Sequence, residues 1–207
     1  MNKLSSVIVP GKRLQIFDLG NVLYKVDARL TLAALQKLGM PSFEGQVSNS
    51  YAAGGVFSEY CDGRVTTAQF IQGVKEMCHI PNADDGQIID AWNAMMLGFC
   101  RDSIMTVRRL RREGALVALL SNCNEAHALT CRSEFQDMYP DLGAFDSLFD
   151  HVFFSQEIGM SKPDPRTWQM VVSEFGVSPR DAAFYDDSET NVAQARAQGI
   201  DARLFCL

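Results

Sequence analysis

Acidic, basic and hydroxyl-bearing residues follow short apolar runs at four places in this sequence. The residues concerned are Asp18, Gly20 and Asn21 after LQIF, Ser121, Asn122 and Asn124 after LVALL, Lys162 in GMSKPDPRTW, and Asp186 and Asp187 after AAFY. In open α/β sheets, ligands bind beyond the carboxyl ends of the strands, so these groups are candidates for one common site. Two acidic strand ends, a lysine and a hydroxyl-bearing turn are suited to a hard cation together with an anion.

The cation predicted at this site is Mg²⁺. A buried carboxylate at Asp18 would repel a second one at Asp187, and a divalent cation between the two removes that cost. Mg²⁺ prefers oxygen ligands, keeps several waters and commonly shares its site with a substrate phosphate. The four groups contain no His or Cys at the spacing of a zinc site, which argues against zinc.

The anion predicted beside the metal is a phosphate. Ser121 and the backbone amides that follow it are expected to open a helix, and a helix N-terminus favours anions. Lys162 supplies a positive charge, and Pro163 and Pro165 restrict the backbone of its loop. A carboxylate such as that of Asp18 can attack phosphorus and form an aspartyl-phosphate.

The elements that must position these residues are short strands separated by helices. Apolar, β-rich runs occur at RLQIFD, ALVALLS, HVFFS, AAFYDD and ARLFCL. Helical periodicity is found over Asp102 to Glu113 and Thr167 to Phe175, between these runs. The alternation predicts an α/β fold with a doubly wound, Rossmann-like parallel sheet.

The stretch from residue 28 to residue 99 has a different pattern. Its apolar residues recur at helical spacing, as in Leu32, Leu35 and Leu38 or Ile88, Ile89 and Trp92, and it contains no convincing strand. It is therefore predicted to be a helical insert after the first strand. The glycine- and aromatic-rich part from Tyr51 to Tyr60 is the best candidate for a substrate-facing segment.

Composition narrows the function classes. The chain has 207 residues, of which 47% are hydrophobic, and a formal net charge of -6. Nucleic-acid binding is disfavoured, and no apolar run approaches the ~20 residues of a membrane span. A cytoplasmic protein is the expectation. The six cysteines show no zinc or disulfide spacing, and a nucleophilic Cys123 with His127 as its base is a weaker alternative.

Four motifs in order resemble those of the haloacid dehalogenase-like (HAD) hydrolases: DLGNV, LLSNCN, SKPDP and FYDDSETN. The resemblance implies a catalytic core from residues 1–27 and 100–207 and a helical cap from 28–99. It also implies Mg²⁺ as cofactor. The roles it implies are a nucleophile at Asp18, phosphate binding by Ser121 and Asn122, a bridge from nucleophile to phosphate by Lys162, metal binding by Asp18, Asp187 and the Gly20 carbonyl, and support from Asp186 and Asn21.

One position departs from the motif of the family's phosphatases. They usually carry a second Asp two residues after the nucleophile, as general acid and base, and Gly20 stands there in this chain. General acid catalysis is worth ~10²–10⁴-fold, so a slow enzyme or one with acidic leaving groups, such as an anomeric sugar phosphate, is expected. DLGNV is also similar to the first motif of the branch containing sugar-phosphate phosphatases similar to α-D-glucose-1-phosphatase.

The predicted function is therefore Mg²⁺-dependent hydrolysis of a small phosphorylated metabolite, with a sugar phosphate favoured, through an aspartyl-phosphate on Asp18. The alternative is a catalytically weak or inactive protein of the same fold that binds a phosphorylated ligand in a regulatory role. Dehalogenation is disfavoured by the paired carboxylates of DDSETN, and phosphoryl transfer to a second hydroxyl is disfavoured by Gly20. Neither the identity of the metabolite nor the oligomeric state follows from the sequence.

Overall fold

A parallel five-stranded sheet organises the protein in the computed structural model, which describes residues 4–41 and 55–207. The strand order is β5-β4-β1-β6-β7, and β2 and β3 form a separate two-stranded sheet. The strands are β1 (Leu14–Phe17), β2 (Tyr24–Val26), β3 (Met96–Phe99), β4 (Leu116–Ser121), β5 (His151–Phe154), β6 (Ala182–Asp186) and β7 (Asp201–Leu204).

Helices follow or precede these strands in the order expected of a doubly wound sheet. They are α1 (Ala28–Lys37), α2 (Gly55–Cys61), α3 (Thr67–Met77), α4 (Asp85–Asn93), α5 (Arg101–Arg112), α6 (Glu125–Met138), α7 (Ser155–Ile158), α8 (Pro165–Glu174) and α9 (Glu189–Ala197). Short 3₁₀ turns cover Leu4–Ser6, Pro140–Leu142, Phe145–Leu148 and Pro179–Asp181. No helix in these two described stretches is long and apolar enough to cross a membrane.

The central strand β1 is buried on both faces, which explains why three of its four residues are apolar; the exception, Gln15, accepts a hydrogen bond from the Tyr185 hydroxyl. Phe17 pairs with Leu119 of β4 on one side and with Tyr185 of β6 on the other. One buried cluster on each side of the sheet separates the strands from the helices. Because the three strands are parallel and in register, the residues that follow them meet at one edge of the sheet.

Helices α1 to α4 surround a third buried cluster of their own. The ring of Trp92 stacks on that of Phe57 with centroids 5.2 Å apart, and Phe70 stacks on Tyr60 at 4.3 Å. The helical character predicted for most of the block 28–99 is present in its described part. Of the segment predicted to face the substrate, residues 51–54 lie outside the described residues, and Phe57 and Tyr60 are buried in this helical cluster instead.

The prediction that the block contains no strand was wrong at its end. Strand β3 pairs antiparallel with β2, with Phe99 opposite Tyr24 and Met96 opposite Val26. Both strands are too short for a two-residue alternation to be visible in the sequence, and their pairing joins segments about 70 residues apart. Phe99 was also assigned to the insert, but its ring packs in the main core against Phe135 and Phe145.

Candidate active site

The amine of Lys162 joins two carboxylates at the carboxyl edge of the sheet. Its Nζ donates to Asp18 Oδ1 at 2.7 Å and to Asp186 Oδ2 at 2.6 Å. Asp18 follows β1, Asp186 ends β6, and Lys162 comes from the loop before α8. The lysine side chain is 1% exposed, so both ion pairs are shielded from water. Asp18 and Lys162, which are 144 positions apart in sequence, are thus brought together.

A third carboxylate, that of Asp187, completes an acidic cluster. One carboxylate oxygen each of Asp18, Asp186 and Asp187 can be chosen so that all lie within 4.8 Å of one another. Asn21 Nδ2 donates to Asp187 Oδ2 at 3.0 Å, and its own Oδ1 accepts from the amide of Val26 at 3.1 Å. Asn21 therefore links the third carboxylate to the last residue of β2.

One lysine does not balance the negative charge of this cluster. Burial raises the pKa of Asp18 to about 7; the charge of Lys162 works in the opposite direction, and that of Asp186 adds to the rise. Burial also raises the pKa of Asp187, against the hydrogen bond from Asn21. The pKa of Lys162 is raised too, because its two carboxylate partners outweigh the effect of burial. The site lacks positive charge, which a cation would supply.

Asn122 holds the backbone of Lys162. Its Nδ2 donates to the Lys162 carbonyl and its Oδ1 accepts from the Lys162 amide, both at 2.8 Å. This paired contact fixes where the lysine side chain leaves its loop. The Asn122 side chain was predicted to bind phosphate, and in this structure it is engaged with the lysine loop, which leaves phosphate binding by this residue a prediction.

Asp186 lies beneath the cavity and is fully buried. Besides Lys162, its carboxylate accepts from the amide of Ser188 at 2.8 Å and from Asn191 Nδ2 at 3.1 Å. The sequence interpretation placed Asp186 in support of Asp187, whereas its hydrogen bonds go to Lys162 and to the start of α9. Ser188 and Asn191 were regarded as a helix start, and Ser188 does accept from the Asn191 amide as N-cap.

A cavity of about 520 Å³ opens over this cluster. The predicted site residues that line it are Asp18, Gly20, Asn21, Ser121, Asn122, Lys162 and Asp187. Ser121 ends β4 and is buried, and α6 begins four residues later at Glu125 with Asn124 as its N-cap. The structure thus brings these seven residues together around one cavity, with Asp186 buried against Lys162, whereas Asn124 caps α6 and does not line the cavity.

The sequence matches the family model of haloacid dehalogenase-like hydrolases over residues 13–199. The chain belongs to this family. Among curated HAD-like relatives, the D-ribitol-5-phosphate phosphatase of Bacteroides thetaiotaomicron is 24% identical over 192 residues, covering 90% of this chain and 88% of that protein. A phosphatase of Mycobacterium tuberculosis is 35% identical over 103 residues, which cover 50% of this chain and 44% of that protein.

Solved HAD-like structures share the whole architecture. A HAD family enzyme of B. thetaiotaomicron, in complex with magnesium and inorganic phosphate, matches with a TM-score of 0.81 and 28% identity, covering 94% of each chain. A predicted HAD-like hydrolase of Porphyromonas gingivalis has a TM-score of 0.83 at 23% identity and covers 95% of this chain and 92% of its own. The predicted family and the predicted α/β fold are confirmed.

The alternative nucleophile, Cys123 with His127 as its base, is opposed by the geometry of this HAD-like site. Burial raises the pKa of the Cys123 thiol well above its usual range, which disfavours the reactive thiolate. The side-chain Nδ2 of Asn124 donates to His127 Nδ1 at 3.1 Å, and His127 Nε2 lies 3.4 Å from the Trp92 carbonyl oxygen. The imidazole is therefore neutral, and burial lowers its pKa to about 4.

Tyr24 is a cavity residue that sequence reasoning missed. Its ring is buried, and its hydroxyl donates to the carboxylate of Glu134, 110 residues away. Burial and this hydrogen bond raise the pKa of the phenol. The Tyr24 hydroxyl therefore uses its proton in the hydrogen bond to Glu134. No sequence spacing relates the two residues, so only the tertiary structure could identify the pair.

Proposed function

We propose that this HAD-like hydrolase is a Mg²⁺-dependent phosphatase that cleaves a small phosphorylated metabolite through an aspartyl-phosphate on Asp18. The observation that carries the proposal is the Asp18 carboxylate at the cavity floor, 2.7 Å from the buried amine of Lys162. A group that only bound phosphate would have no need of this nucleophile. The curated relatives described above are named as phosphatases, which supports the same reaction class.

The three carboxylates differ in their suitability as metal ligands. The oxygens of Asp186 are already occupied by Lys162, Ser188 and Asn191. Asp18 and Asp187 line the cavity, as does Gly20, so these two carboxylates and the Gly20 carbonyl would hold Mg²⁺. The B. thetaiotaomicron enzyme was crystallised with magnesium, in agreement with the predicted cofactor. When bound, Mg²⁺ would neutralise carboxylate and phosphate charge and keep Asp18 ionised.

The proposed reaction has two displacements at phosphorus. One Asp18 oxygen attacks the phosphorus of the ester, the bond to the organic oxygen breaks, and an aspartyl-phosphate forms while the organic group leaves. Water then attacks the same phosphorus, which releases inorganic phosphate and restores the Asp18 carboxylate. Lys162 holds Asp18 in position and stabilises the negative charge that develops on the phosphoryl oxygens.

Protonation of the leaving group is the step for which the chain offers the fewest candidate residues. Among the described residues that line the cavity, the acidic side chains are Asp18 and Asp187, which the nucleophile and metal roles occupy. The departing oxygen would then take its proton from water, from the helical cap or through a neighbour such as Asn21 acting indirectly. A sugar phosphate whose oxygen leaves as a weak base, as an anomeric phosphate does, remains the favoured substrate, and the likeness to a ribitol-phosphate phosphatase supports a sugar-related compound.

The test is phosphate release from sugar phosphates, nucleotides and an aryl phosphate, with and without Mg²⁺, by the wild type and by Asp18→Asn. We expect metal-dependent release that the variant loses, because the amide keeps the shape of Asp18 and cannot attack phosphorus. If folded wild-type protein that binds Mg²⁺ releases no more phosphate than Asp18→Asn, the phosphatase assignment is rejected. This result would favour the regulatory binding protein instead.

A further inference from the structure

The cavity above Asp18 has two chemically different parts. The phosphate part contains the acidic cluster, Lys162 and the polar turn at Ser121. The remaining wall, which we call the organic wall, must face the group attached to the phosphate, and it consists mainly of uncharged side chains: Tyr24, Val26, Trp92, Met95, Met96 and Cys131. The phenol of Tyr24, its most polar group, is occupied by Glu134.

Positive charge is confined to the phosphate part. Among the described residues that line the cavity, Lys162 is the one cationic side chain, and both of its carboxylate partners are already bound to it. His127 also lines the cavity, but its two ring nitrogens are satisfied by Asn124 and Trp92 in the neutral form. A carboxylate or second phosphate on the organic group would find no cation on the organic wall.

Residues 42–54 lie outside the described part of the chain, and their sequence bears on the same question. The stretch SFEGQVSNSYAAG contains no Lys, Arg or His. It therefore cannot contribute a positive side chain to substrate binding.

We propose that this site selects phosphate esters whose organic group is uncharged and discriminates against esters that carry a second anionic group. The inference rests on the proposed function, because it concerns the substrate of that same site. With Mg²⁺ bound, the three carboxylates, Lys162 and the metal sum to zero charge, so the phosphate brings the site to a net negative charge. A further anion then meets repulsion and desolvation without a compensating partner.

The experiment compares two esters that differ in one charge, phenyl phosphate and 4-carboxyphenyl phosphate, which have leaving groups of similar basicity. We expect kcat/KM to be on the order of 10²-fold lower for the carboxylated ester with Mg²⁺ present, since an unpaired like charge costs several kcal/mol. Equal values of kcat/KM for the two esters would overturn the inference and leave the phosphatase assignment standing.

A cation placed on the organic wall should weaken the preference. Met96 is partly exposed at the start of β3, so the amine of a Met96→Lys variant can reach water at the cavity mouth. We expect the ratio of kcat/KM values to shift ~10-fold or more toward the carboxylated ester. Met96→Gln is the uncharged control, and an equal shift in both variants would count against the charge argument.

Binding separates failure of this inference from failure of the proposed function. The non-hydrolysable phenylphosphonate and 4-carboxyphenylphosphonate can be titrated against the Mg²⁺-loaded protein by calorimetry. If neither these esters nor the sugar phosphates and nucleotides of the first test are hydrolysed, the phosphatase assignment fails. Tighter binding of phenylphosphonate, which lacks the carboxylate, would still support charge selection by the cavity, and equal or reversed affinities would refute it.

Discussion

Replacing Gly20 by Asp should convert this site into one with a general acid. The glycine has no left-handed backbone, and a Cβ at this position would lie 3.6 Å from Val26 Cγ2 and 3.8 Å from Asp18 Oδ2. Both are ordinary van der Waals distances, so the Cβ of an aspartate is accommodated at this position without a backbone shift. Its carboxyl would stand beside that of Asp18, and a neighbouring negative charge raises the pKa of a carboxyl group. The new residue is thus biased toward the protonated form that a general acid needs.

The expected gain depends on the leaving group. General acid catalysis contributes ~10²–10⁴-fold where the departing oxygen is strongly basic, and little where it is not. For Gly20→Asp we expect kcat with an alkyl phosphate to rise ~10²-fold, the lower end of that range, because no other residue was shaped around the new acid. With an aryl phosphate that carries a nitro group, we expect a change of less than ~3-fold.

The assay is steady-state phosphate release from a series of esters with increasingly basic leaving groups, at saturating Mg²⁺. The dependence of log kcat on leaving-group pKa should flatten in Gly20→Asp relative to the wild type. Gly20→Asn is the matched control, because it has the same shape and no acidic proton. A gain in Gly20→Asn as large as in Gly20→Asp, or an unchanged slope in a folded variant that binds Mg²⁺, would refute the reasoning.

Three further predictions concern the charges and the loop around Lys162. Lys162→Met should lower the free energy of unfolding, measured in urea, by ~3–5 kcal/mol, because it leaves two buried carboxylates unpaired. The control is Arg109→Ala, which breaks an exposed pair with Glu113 and should cost under ~1 kcal/mol. Similar losses in the two variants would contradict the burial argument. The pKa of Asp18 is about 7 when folded and near 3.8 when unfolded, so the native state holds the extra proton between these values and the free energy of unfolding of metal-free protein should fall as pH rises through this window. Urea titrations in EDTA should show this fall in the wild type relative to Asp18→Asn, and identical pH profiles would exclude it. Asn122→Ala should lower kcat by up to ~10²-fold through misplacement of the lysine, with a stability loss of ~1–3 kcal/mol, and unchanged kinetics would show that the loop is held by other contacts.

Much of the fold could be predicted from the sequence because the strands of the main sheet are locally encoded. Buried parallel strands are largely apolar runs, and all of those here except the last, β7, end at a polar residue or a turn. The helices α5 and α8 fall within two residues of their predicted ranges. The β2–β3 pair escaped prediction because its two strands of three and four residues are stabilised by pairing across a long sequence separation.

The sequence by itself determined which residues meet at the site. Parallel strands present their carboxyl ends at one edge, so Asp18, Ser121 and Asp186 had to converge once their strands were recognised. Gly20 was also visible in the sequence as a missing acid. These conclusions need only residue type, order and the geometry common to all parallel sheets.

Only the tertiary structure decided which contacts each of these residues makes at the site. It showed that Asp186 supports Lys162 from below, that Asn122 holds the lysine backbone, and that His127 is neutral. Each of these outcomes depends on burial and on hydrogen bonds of about 3 Å or less, which change with side-chain orientation. Sequence spacing does not set that orientation: Asp186 and Asp187 are adjacent in the chain, yet Asp186 is fully buried against Lys162 whereas Asp187 lines the cavity.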